Sequence, residues 1–342
     1  MTLFDRTNAS RCLTLATAVI AILAAAAATP SAAGTADADV GAMVPAAAGA
    51  GSPSSCSQEG CVFLLDKGRF TQVPRPGNDG GDNIVRINNR GEIVGSYVDA
   101  AGGFHGFLLD RRGRSISIDF PRAAGTQVFD VNDRGWIVGI YNNTESFPSG
   151  AADTRIFLRD ERGRFTTIRI PGAVQTQGFG INNRGDIVGG YLDRSGKFHG
   201  FRRVRGRITR IDVPGSAATT ALDINDRGEV VGLHVDDLSS TRMRGFLLSG
   251  GVQTSFDHPT FPFIFAVGIN NRGQIAGAAS NGAGTNASGF VLARGVNRPF
   301  TPIAFPGASG TGATGINDRG QIVGGYGLPS AAQGKVGTAF PQ

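Results

Sequence analysis

The sequence predicts an all-β fold: a six-bladed β-propeller of four-stranded antiparallel blades. Three observations lead to this prediction. A segment similar to GINNRGDIVGGYLD, residues 180–193, recurs at 86–99, 130–143, 223–236, 268–281 and 315–328. Each repeat contains four short apolar runs, and the two ends of the repeat region complement each other. Repeats of 43 to 50 residues indicate a solenoid, a propeller or an array.

The composition agrees with a β-rich fold. The chain has 342 residues, 40% of them hydrophobic and 18% charged, with 52 glycines. Many glycines between short apolar runs favour turn-rich β structure over helix. No stretch after residue 30 keeps a 3.6-residue apolar spacing, so we expect little helix.

Residues 1–33 have the pattern of a secretory signal peptide. Arg6 and Arg11 precede an apolar run, Leu13–Ala28, and small residues ending at Ala33 follow as a cleavage site. The run is shorter than the ~20 residues that a spanning helix needs. We therefore predict a secreted or periplasmic mature chain without a membrane span. A retained membrane anchor is the alternative.

The mature chain begins with a linker. Residues 34–55 are rich in Ala, Gly, Ser and Pro and lack periodicity, so they are interpreted as a flexible tether before a repeat domain at 56–342. Cys56 and Cys61 are the two cysteines after the signal peptide. In an oxidising compartment such a close pair usually forms a disulfide. A metal site would need two more ligands, and no nearby histidine supplies them, so we predict neither metal nor cofactor.

Each unit is interpreted as four strands, which in the third unit are 177–182, 186–193, 198–204 and 207–214. An Asn-Asn-Arg-Gly or Asn-Asp-Arg-Gly turn joins the first two strands. Its Asn side chain can bond the backbone two residues on, and its Gly can adopt the positive φ of a tight hairpin. The same hairpin is therefore expected in all six units.

Two further positions recur in every unit. A glycine lies inside the second strand and suggests close packing between the sheets of neighbouring units; the six are Gly95, Gly139, Gly189, Gly232, Gly277 and Gly324. A proline ends the fourth strand, as an edge strand tolerates; the six are Pro76, Pro121, Pro171, Pro214, Pro259 and Pro306.

The ends of the repeat region predict ring closure. Residues 61–77 look like the third and fourth strands of a unit that lacks its first half, and 315–326 look like a first half. Together the N- and C-terminal strands would complete the last blade and hide both free edges. An open β-solenoid, which needs no complementary ends, is the alternative.

The words INDRGQIVGGY (316–326) and FHGF (104–107 and 198–201) resemble the HAF repeat, a family of predicted extracellular repeat proteins. The resemblance extends over about residues 61–342, with His-Gly-Phe in place of His-Ala-Phe. It implies an exported, propeller-like repeat protein and does not imply a particular activity.

Two sets of repeated side chains are candidate contacts for a ligand. One is the arginine of each turn, which would form a basic circle on one face and hold a polyanion; the six are Arg90, Arg134, Arg184, Arg227, Arg272 and Arg319. The other set ends the second strand, ten residues after the apolar residue that precedes each turn, near loops of variable length. Its members are Tyr97, Tyr141, Tyr191, His234 and Tyr326, and its aromatic rings could stack on sugars. The alternatives to ligand binding are surface ion pairs for the arginines and packing between units for the tyrosines.

The preferred function is an exported binding or interaction module for an unknown extracellular ligand or protein, such as a glycan or another polymer. The net charge of +6 favours anionic partners, but no basic run indicates specific nucleic-acid binding. The alternatives are a purely structural surface repeat protein and an enzyme acting on carbohydrate or lactone in the channel. Asp130 and Asp223 share the position before the turn region, where the other units have Arg86 or glycine. Three or more carboxylates or amides converging in the channel would favour the enzyme, which as yet has no assigned catalytic residue.

Overall fold

The computed structural model describes residues 61–76, 84–143, 154–238, 242–281 and 287–327. In these ranges the chain is all-β, with 24 strands and no helix. None of the described segments is therefore a helix that could cross a bilayer. The predicted signal peptide 1–33, the tether 34–55 and Cys56 lie outside the described residues.

The strands follow the predicted four-strand unit. The first strands of the units are β3 (Arg86–Ile87), β7 (Gly125–Val131), β11 (Ala173–Ile181), β15 (Ala218–Ile224), β19 (Phe263–Ile269) and β23 (Gly310–Ile316). The second strands are β4 (Ile93–Val98), β8 (Ile137–Asn142), β12 (Ile187–Asp193), β16 (Val230–Val235), β20 (Ile275–Ser280) and β24 (Ile322–Gly327). The third strands are β1 (Cys61–Asp66), β5 (Phe104–Leu109), β9 (Arg155–Arg159), β13 (Phe198–Val204), β17 (Arg244–Ser249) and β21 (Ser288–Leu292). The fourth strands are β2 (Arg69–Gln72), β6 (Ser115–Ile118), β10 (Phe165–Ile168), β14 (Arg207–Ile211), β18 (Val252–Phe256) and β22 (Phe300–Ile303).

The strands pair in a β-propeller-like arrangement of four-stranded antiparallel sheets. Four sheets have four strands each, in the orders β2-β1-β24-β23, β3-β4-β5-β6, β10-β9-β8-β7 and β19-β20-β21-β22. The remaining eight strands form one sheet, which departs from six separate blades. A single parallel pair, Phe198 with Ala218, joins β13 to β15 and so merges β11–β14 with β15–β18. The merger reflects how closely these two units approach.

The two ends of the repeat region share one sheet, as predicted. β1 pairs antiparallel with β24, from Cys61 opposite Tyr326 to Leu65 opposite Ile322. Cys61 is buried at the start of β1. Because β1 also pairs with β2, this sheet combines two strands from each end of the described chain.

The turns between first and second strands have the predicted geometry. Their glycines have φ between +77° and +81°, a conformation that side chains other than glycine rarely adopt. In the third unit, Oδ1 of Asn182 accepts the backbone N–H of Arg184, two residues on, and that of Asp186, each at 3.0 Å. The Asn of each of the other five turns accepts the same backbone bond two residues on.

Glycine is required in the second strands for a different reason from the one expected. A Cβ on Gly139 would lie 2.1 Å from the carbonyl oxygen of Gln127 and 2.8 Å from the ring of Phe157. A Cβ on Gly189 would meet Gln177 and Phe201 in the same way. These neighbours belong to the first and third strands of the glycine's own unit. Close packing within a sheet, rather than between sheets, therefore requires glycine here.

A β-bulge interrupts the first strand shortly before the turn in the five units where that strand is long. The register shifts fall at Val128/Asp130, Gly178/Gly180, Ala221/Asp223, Ala266/Gly268 and Ala313/Gly315. In four of these units the residue skipped by the shift lies in one buried apolar cluster, namely Phe129, Phe179, Leu222 and Val267. Bulges re-aim neighbouring side chains, so this irregularity governs the direction of the residue that follows it.

Candidate functional site

The six turns are joined in a closed circle of hydrogen bonds, which we call the turn circle. The first Asn of each turn donates from Nδ2 to the carbonyl oxygen of its counterpart in the next unit. The bonds run from Asn88 to Asn132, Asn132 to Asn182, Asn182 to Asn225, Asn225 to Asn270, Asn270 to Asn317, and Asn317 to Asn88, at 3.0 to 3.1 Å. The last bond links the two ends of the repeat region, so the six units surround one axis.

The second residue of each turn forms another closed circle, in which amides and carboxylates alternate. This Asn/Asp ring consists of Asn89, Asp133, Asn183, Asp226, Asn271 and Asp318. Asn183 is representative, because its Nδ2 donates to Oδ2 of Asp133 at 2.8 Å and to Oδ2 of Asp226 at 2.9 Å. Each carboxylate also accepts one backbone N–H from the preceding unit. The ring therefore uses its polar atoms to join the units.

A polar pocket of about 70 Å³ lies on the axis, lined by the turn circle and the Asn/Asp ring. We call it the axial pocket. Its lining also includes Arg86, Asp130 and Asp223, which hold the position before the last residue of the first strand. These three side chains are 4%, 7% and 9% exposed. A volume of this size holds several water molecules or a few ligand atoms.

The two inward aspartates are held by backbone bonds from two units each. Oδ1 of Asp130 accepts the N–H of Val131, and Oδ2 accepts the N–H of Ile181 in the next unit. Asp223 bonds Ile224 and Ile269 in the same manner. Burial, with a contribution from Asp223, raises the pKa of Asp130 to about 8, although Arg86 opposes the shift. Burial likewise raises the pKa of Asp223.

Arg86 is the most unusual side chain of the pocket. Its Nε and Nη1 are buried and have no hydrogen-bond partner among the described residues. No nitrogen of Arg86 comes within 4.0 Å of a carboxylate oxygen in that part of the chain. A buried guanidinium with unmet N–H groups is costly, because burial removes the water that would otherwise bind it. Arg86 thus lines the axial pocket with two donors that are unmet among the described residues.

The predicted circle of turn arginines is present, but acids balance it. Arg90, Arg184 and Arg227 each pair with an acid two residues on, at 2.5 to 3.1 Å. Arg184 and Arg227 also donate to a carbonyl of the next turn. Arg134 instead lies over the ring of Trp136, and Arg272 and Arg319 have Gln274 and Gln321 at the position of the acid. With the three ring aspartates nearby, this face carries charges of both signs, and polyanion binding stays a prediction.

The predicted tyrosine set packs against aromatic neighbours. Tyr141 is 4% exposed and stacks on Phe120, with the ring centroids 3.6 Å apart. Tyr326 is 0% exposed and stacks on Phe305, with the ring centroids 3.7 Å apart. Tyr97 and Tyr191 are half-buried and pack on His105 and His199. The fifth member, His234, is buried and contacts Ser255 at 2.9 Å. The structure thus brings these residues into packing contacts within and between units, and their role in binding a ligand stays a prediction.

His105 and His199 each lie between two aspartates. His105 bonds Asp119 at 2.8 Å and Asp99 at 3.1 Å, and His199 bonds Asp212 and Asp193 at 3.0 Å. Each ring thereby connects the hairpin after the second strand to the end of the fourth. Among the described residues, no group of three or more His, Cys, Asp or Glu has an arrangement that could hold a metal ion.

Sequence reasoning identified the position of Arg86, Asp130 and Asp223 but did not assign them to a site. The available signal was the variation at one position of an otherwise regular repeat, which reads Arg, Asp, Gly, Asp, Gly, Gly. The predicted test, convergence of carboxylates or amides on the channel, gives a mixed result. Many converge, but those of the Asn/Asp ring are bonded to one another.

Comparisons with known proteins identify the fold but not a ligand. No protein-family profile matches the chain, and no curated protein matches it in sequence. The chain is similar in structure to TolB from Agrobacterium tumefaciens, with a TM-score of 0.57, 10% identity, and coverage of 80% of this chain and 100% of that one. It is also similar to TolB from Acinetobacter baumannii, with a TM-score of 0.51, 10% identity, and coverage of 79% and 64%. At such identity the likeness shows the fold alone, a β-propeller-like one.

Proposed function

We propose that this chain is an exported six-bladed β-propeller that binds a small polar ligand in the axial pocket. The observation that carries the proposal is Arg86, which lines the pocket and whose buried Nε and Nη1 have no hydrogen-bond partner among the described residues. Binding sites typically combine a concave surface with a few placed polar groups. Arg86, Asp130 and Asp223 are such groups, held on strands that the turn circle fixes in place.

Six blades are the simplest account of the closed turn circle, with β11–β14 and β15–β18 counted as two blades in spite of their shared pair. Export rests on the signal-peptide pattern at 1–33, and the resemblance to HAF repeats supports it. A Cys56–Cys61 disulfide would then anchor the tether to the first residue of β1.

The test is a ligand screen by NMR on the mature chain with the backbone amides of Val131, Ile181, Ile224 and Ile269 as reporters. These N–H groups bond the two inward carboxylates, so an occupant of the pocket changes their surroundings. The screen includes small carboxylates, amines, diols and sugars. We expect at least one class to shift these amides in a saturable manner.

Arg86→Gln is expected to abolish the response, and Arg114→Gln is the matched control. The Arg114 side chain is 72% exposed and pairs with Asp110 at 2.8 Å, away from the axial pocket. Circular dichroism and thermal unfolding establish that both variants fold. If the response is absent, or if it survives Arg86→Gln in a folded protein, the proposed site is wrong.

A channel enzyme is the second candidate, and Asp130 favours it. A carboxyl group with a pKa of about 8 is protonated at neutral pH and can donate a proton, whereas an ordinary aspartate cannot. Asp223 lies close enough to contribute to that shift. Hydrolysis of a panel of glycosides and lactones, lost in Asp130→Asn and kept in Asp110→Asn, would establish this function in place of simple binding.

A further inference from the structure

A second set of turns lies at the same end of the units as the turn circle. In an antiparallel unit of four strands, the turn between the first two strands and the hairpin between the last two lie at one end. Contacts between the two kinds of turn agree with this placement. Nε2 of Gln321 donates to Oδ2 of Asp66 at 3.0 Å, and Oγ of Ser249 donates to Oε1 of Glu229 at 3.1 Å. We call the six outer hairpins the hairpin rim; they are 66–69, 110–114, 160–164, 204–207, 249–252 and 293–299.

The hairpin rim carries a large excess of positive charge. It contains eleven arginine and lysine residues and four acids, out of 33 and 27 in the whole chain. The rest of the chain therefore has 22 cations and 23 acids and is nearly balanced. The basic character of the protein is concentrated in these six short segments, and such a surface attracts anionic partners.

Most cations of the hairpin rim have no acid partner. Arg114 pairs with Asp110 at 2.8 Å, and Arg164 pairs with Asp160 at 2.7 Å. The other nine cations are exposed, and no carboxylate oxygen among the described residues lies within 4.0 Å of their charged nitrogens. They include Arg111, Arg112, Arg162, Arg205 and Arg207. The rim differs in this respect from the turn circle, where acids balance several of the arginines.

Two hairpins of the rim place a cation at a backbone position that disfavours it. Lys67 has φ of +50° and Arg205 has φ of +49°, each followed by a glycine. Asn, Asp and Gly are the residues preferred at the first position of such a tight hairpin. The turn geometry therefore does not account for a long cationic side chain at either tip. A contact made by the charge itself does account for it.

We propose that the hairpin rim binds a linear acidic polysaccharide. A guanidinium group forms paired hydrogen bonds with a carboxylate, and a chain of carboxylates can follow the rim from one unit to the next. The inference uses the export proposed above, which places the protein among extracellular polymers rather than nucleic acids, and its site is separate from the axial pocket.

A lipid surface fits the rim less well than a polymer does. Surface-bound segments usually combine cations with apolar side chains that enter the bilayer. The five charged hairpins of the rim have no exposed large apolar side chain. Val252 is 66% exposed but belongs to 249–252, the hairpin without a charged residue.

The test is binding of polygalacturonate to the mature chain, measured by isothermal titration calorimetry. We expect saturable binding that weakens roughly tenfold or more when NaCl rises from about 50 to about 200 mM, because each ionic contact releases counterions. Dextran, a neutral polysaccharide, should not bind. The readout does not involve the amides that report on the axial pocket, so failure of this inference and failure of the proposed pocket are separately visible.

Two double variants locate the site. Arg111→Gln with Arg112→Gln removes two unpaired cations of the rim and should weaken binding of polygalacturonate by roughly tenfold. Arg194→Gln with Lys197→Gln is the matched control, because it removes the same charge from an exposed hairpin at the opposite end of the units. The control should change the affinity by less than about twofold, since salt screens distant charges. Circular dichroism establishes that both variants fold.

Three results would overturn the inference. Absence of saturable binding to polygalacturonate rejects the polymer. Equal losses in the two double variants would show that net charge, and not the hairpin rim, governs binding. Tighter binding of duplex DNA, or of vesicles of phosphatidylglycerol and phosphatidylcholine in equal parts, at the same salt concentration, would reject the polysaccharide as the partner.

Discussion

Oδ2 of Asp130 accepts the backbone N–H of Ile181 at 2.8 Å, so an inward-facing acid of one unit bonds the first strand of the next. The same carboxyl group lines the axial pocket and is almost completely buried. The buried position of Asp130 therefore determines both its bond to the next unit and the chemistry of its carboxyl group.

The Asp130 carboxyl should be among the last to titrate. Because its pKa in the folded protein is raised to about 8, it stabilises the fold in its neutral form. That contribution is complete below the unfolded-state pKa of about 3.9 and is lost as the pH rises through 8. Carbon-13 NMR of the carboxyl groups should place its midpoint near pH 8, with Asp110, whose pKa is lowered by the backbone N–H of Arg114, as the control. A midpoint near 4 would contradict the burial described here.

Asn182→Ala should destabilise the protein by about 3 kcal/mol, since it removes several buried hydrogen bonds worth roughly 1 kcal/mol each. The lost bonds include the two turn N–H groups and the link to the carbonyl of Asn225. Asn297 is exposed, and Asn297→Ala should change the free energy of unfolding by less than about 0.5 kcal/mol. Chemical denaturation of both variants measures the difference. Equal effects would show that the turn circle contributes little.

Tyr326→Phe and Tyr141→Phe should have opposite consequences. The buried hydroxyl of Tyr326 has no hydrogen-bond partner among the described residues, so its removal should be neutral or stabilising. The hydroxyl of Tyr141 lies 2.8 Å from Oγ1 of Thr167, so its removal should cost about 1 kcal/mol. Thermal unfolding compares the two directly. A larger loss in Tyr326→Phe would point to a partner for that hydroxyl outside the described residues.

Gly139→Ala should be among the more damaging small substitutions. Its Cβ would lie 2.1 Å from a backbone oxygen of the paired strand, which cannot move without breaking the sheet register. We expect a loss of about 3 kcal/mol or failure to fold. A Cβ on Gly312 would meet only the methyl of Ala278 at 3.5 Å, so Gly312→Ala should be tolerated. Soluble yield and the unfolding midpoint distinguish the two variants.

His105 and His258 should titrate in opposite directions from the usual value. Partial burial lowers the pKa of His105, but its bonds to Asp119 and Asp99 outweigh this effect, and the net pKa is raised. Burial alone lowers the pKa of His258. The stability contributed by His105 is therefore complete below about pH 6.5 and is lost as the pH rises through its folded-state pKa. Proton NMR of the imidazole rings measures both, and Asp119→Asn should lower the midpoint of His105 without moving that of His258.

The turns could be predicted from sequence because their chemistry is local. Asn182, Arg184 and Gly185 form the hairpin with bonds inside one short segment, so the same words give the same structure in all six units. The strand pairing of the two chain ends followed from counting incomplete units. The bulge beside Asp130 and the burial of Arg86 depend instead on how closely the units approach around the axis. The spacing of the repeats does not predict this distance. For the same reason the stacking of Tyr141 on Phe120, a contact between units, was only one of two alternatives.

The pairing of β1 with β24 also has a consequence for how the protein is made. Cys61 and Tyr326 are partners across 265 positions of sequence. At a synthesis rate of about 5 to 20 residues per second, β24 leaves the ribosome roughly 15 to 50 s after β1. During that interval β1, which contains the fully buried Phe63, has no partner on the side that β24 will occupy. The nascent chain thus depends on its final strand to cover the unpaired edge of β1. A premature stop before β24 would leave that edge free to pair with other chains and aggregate.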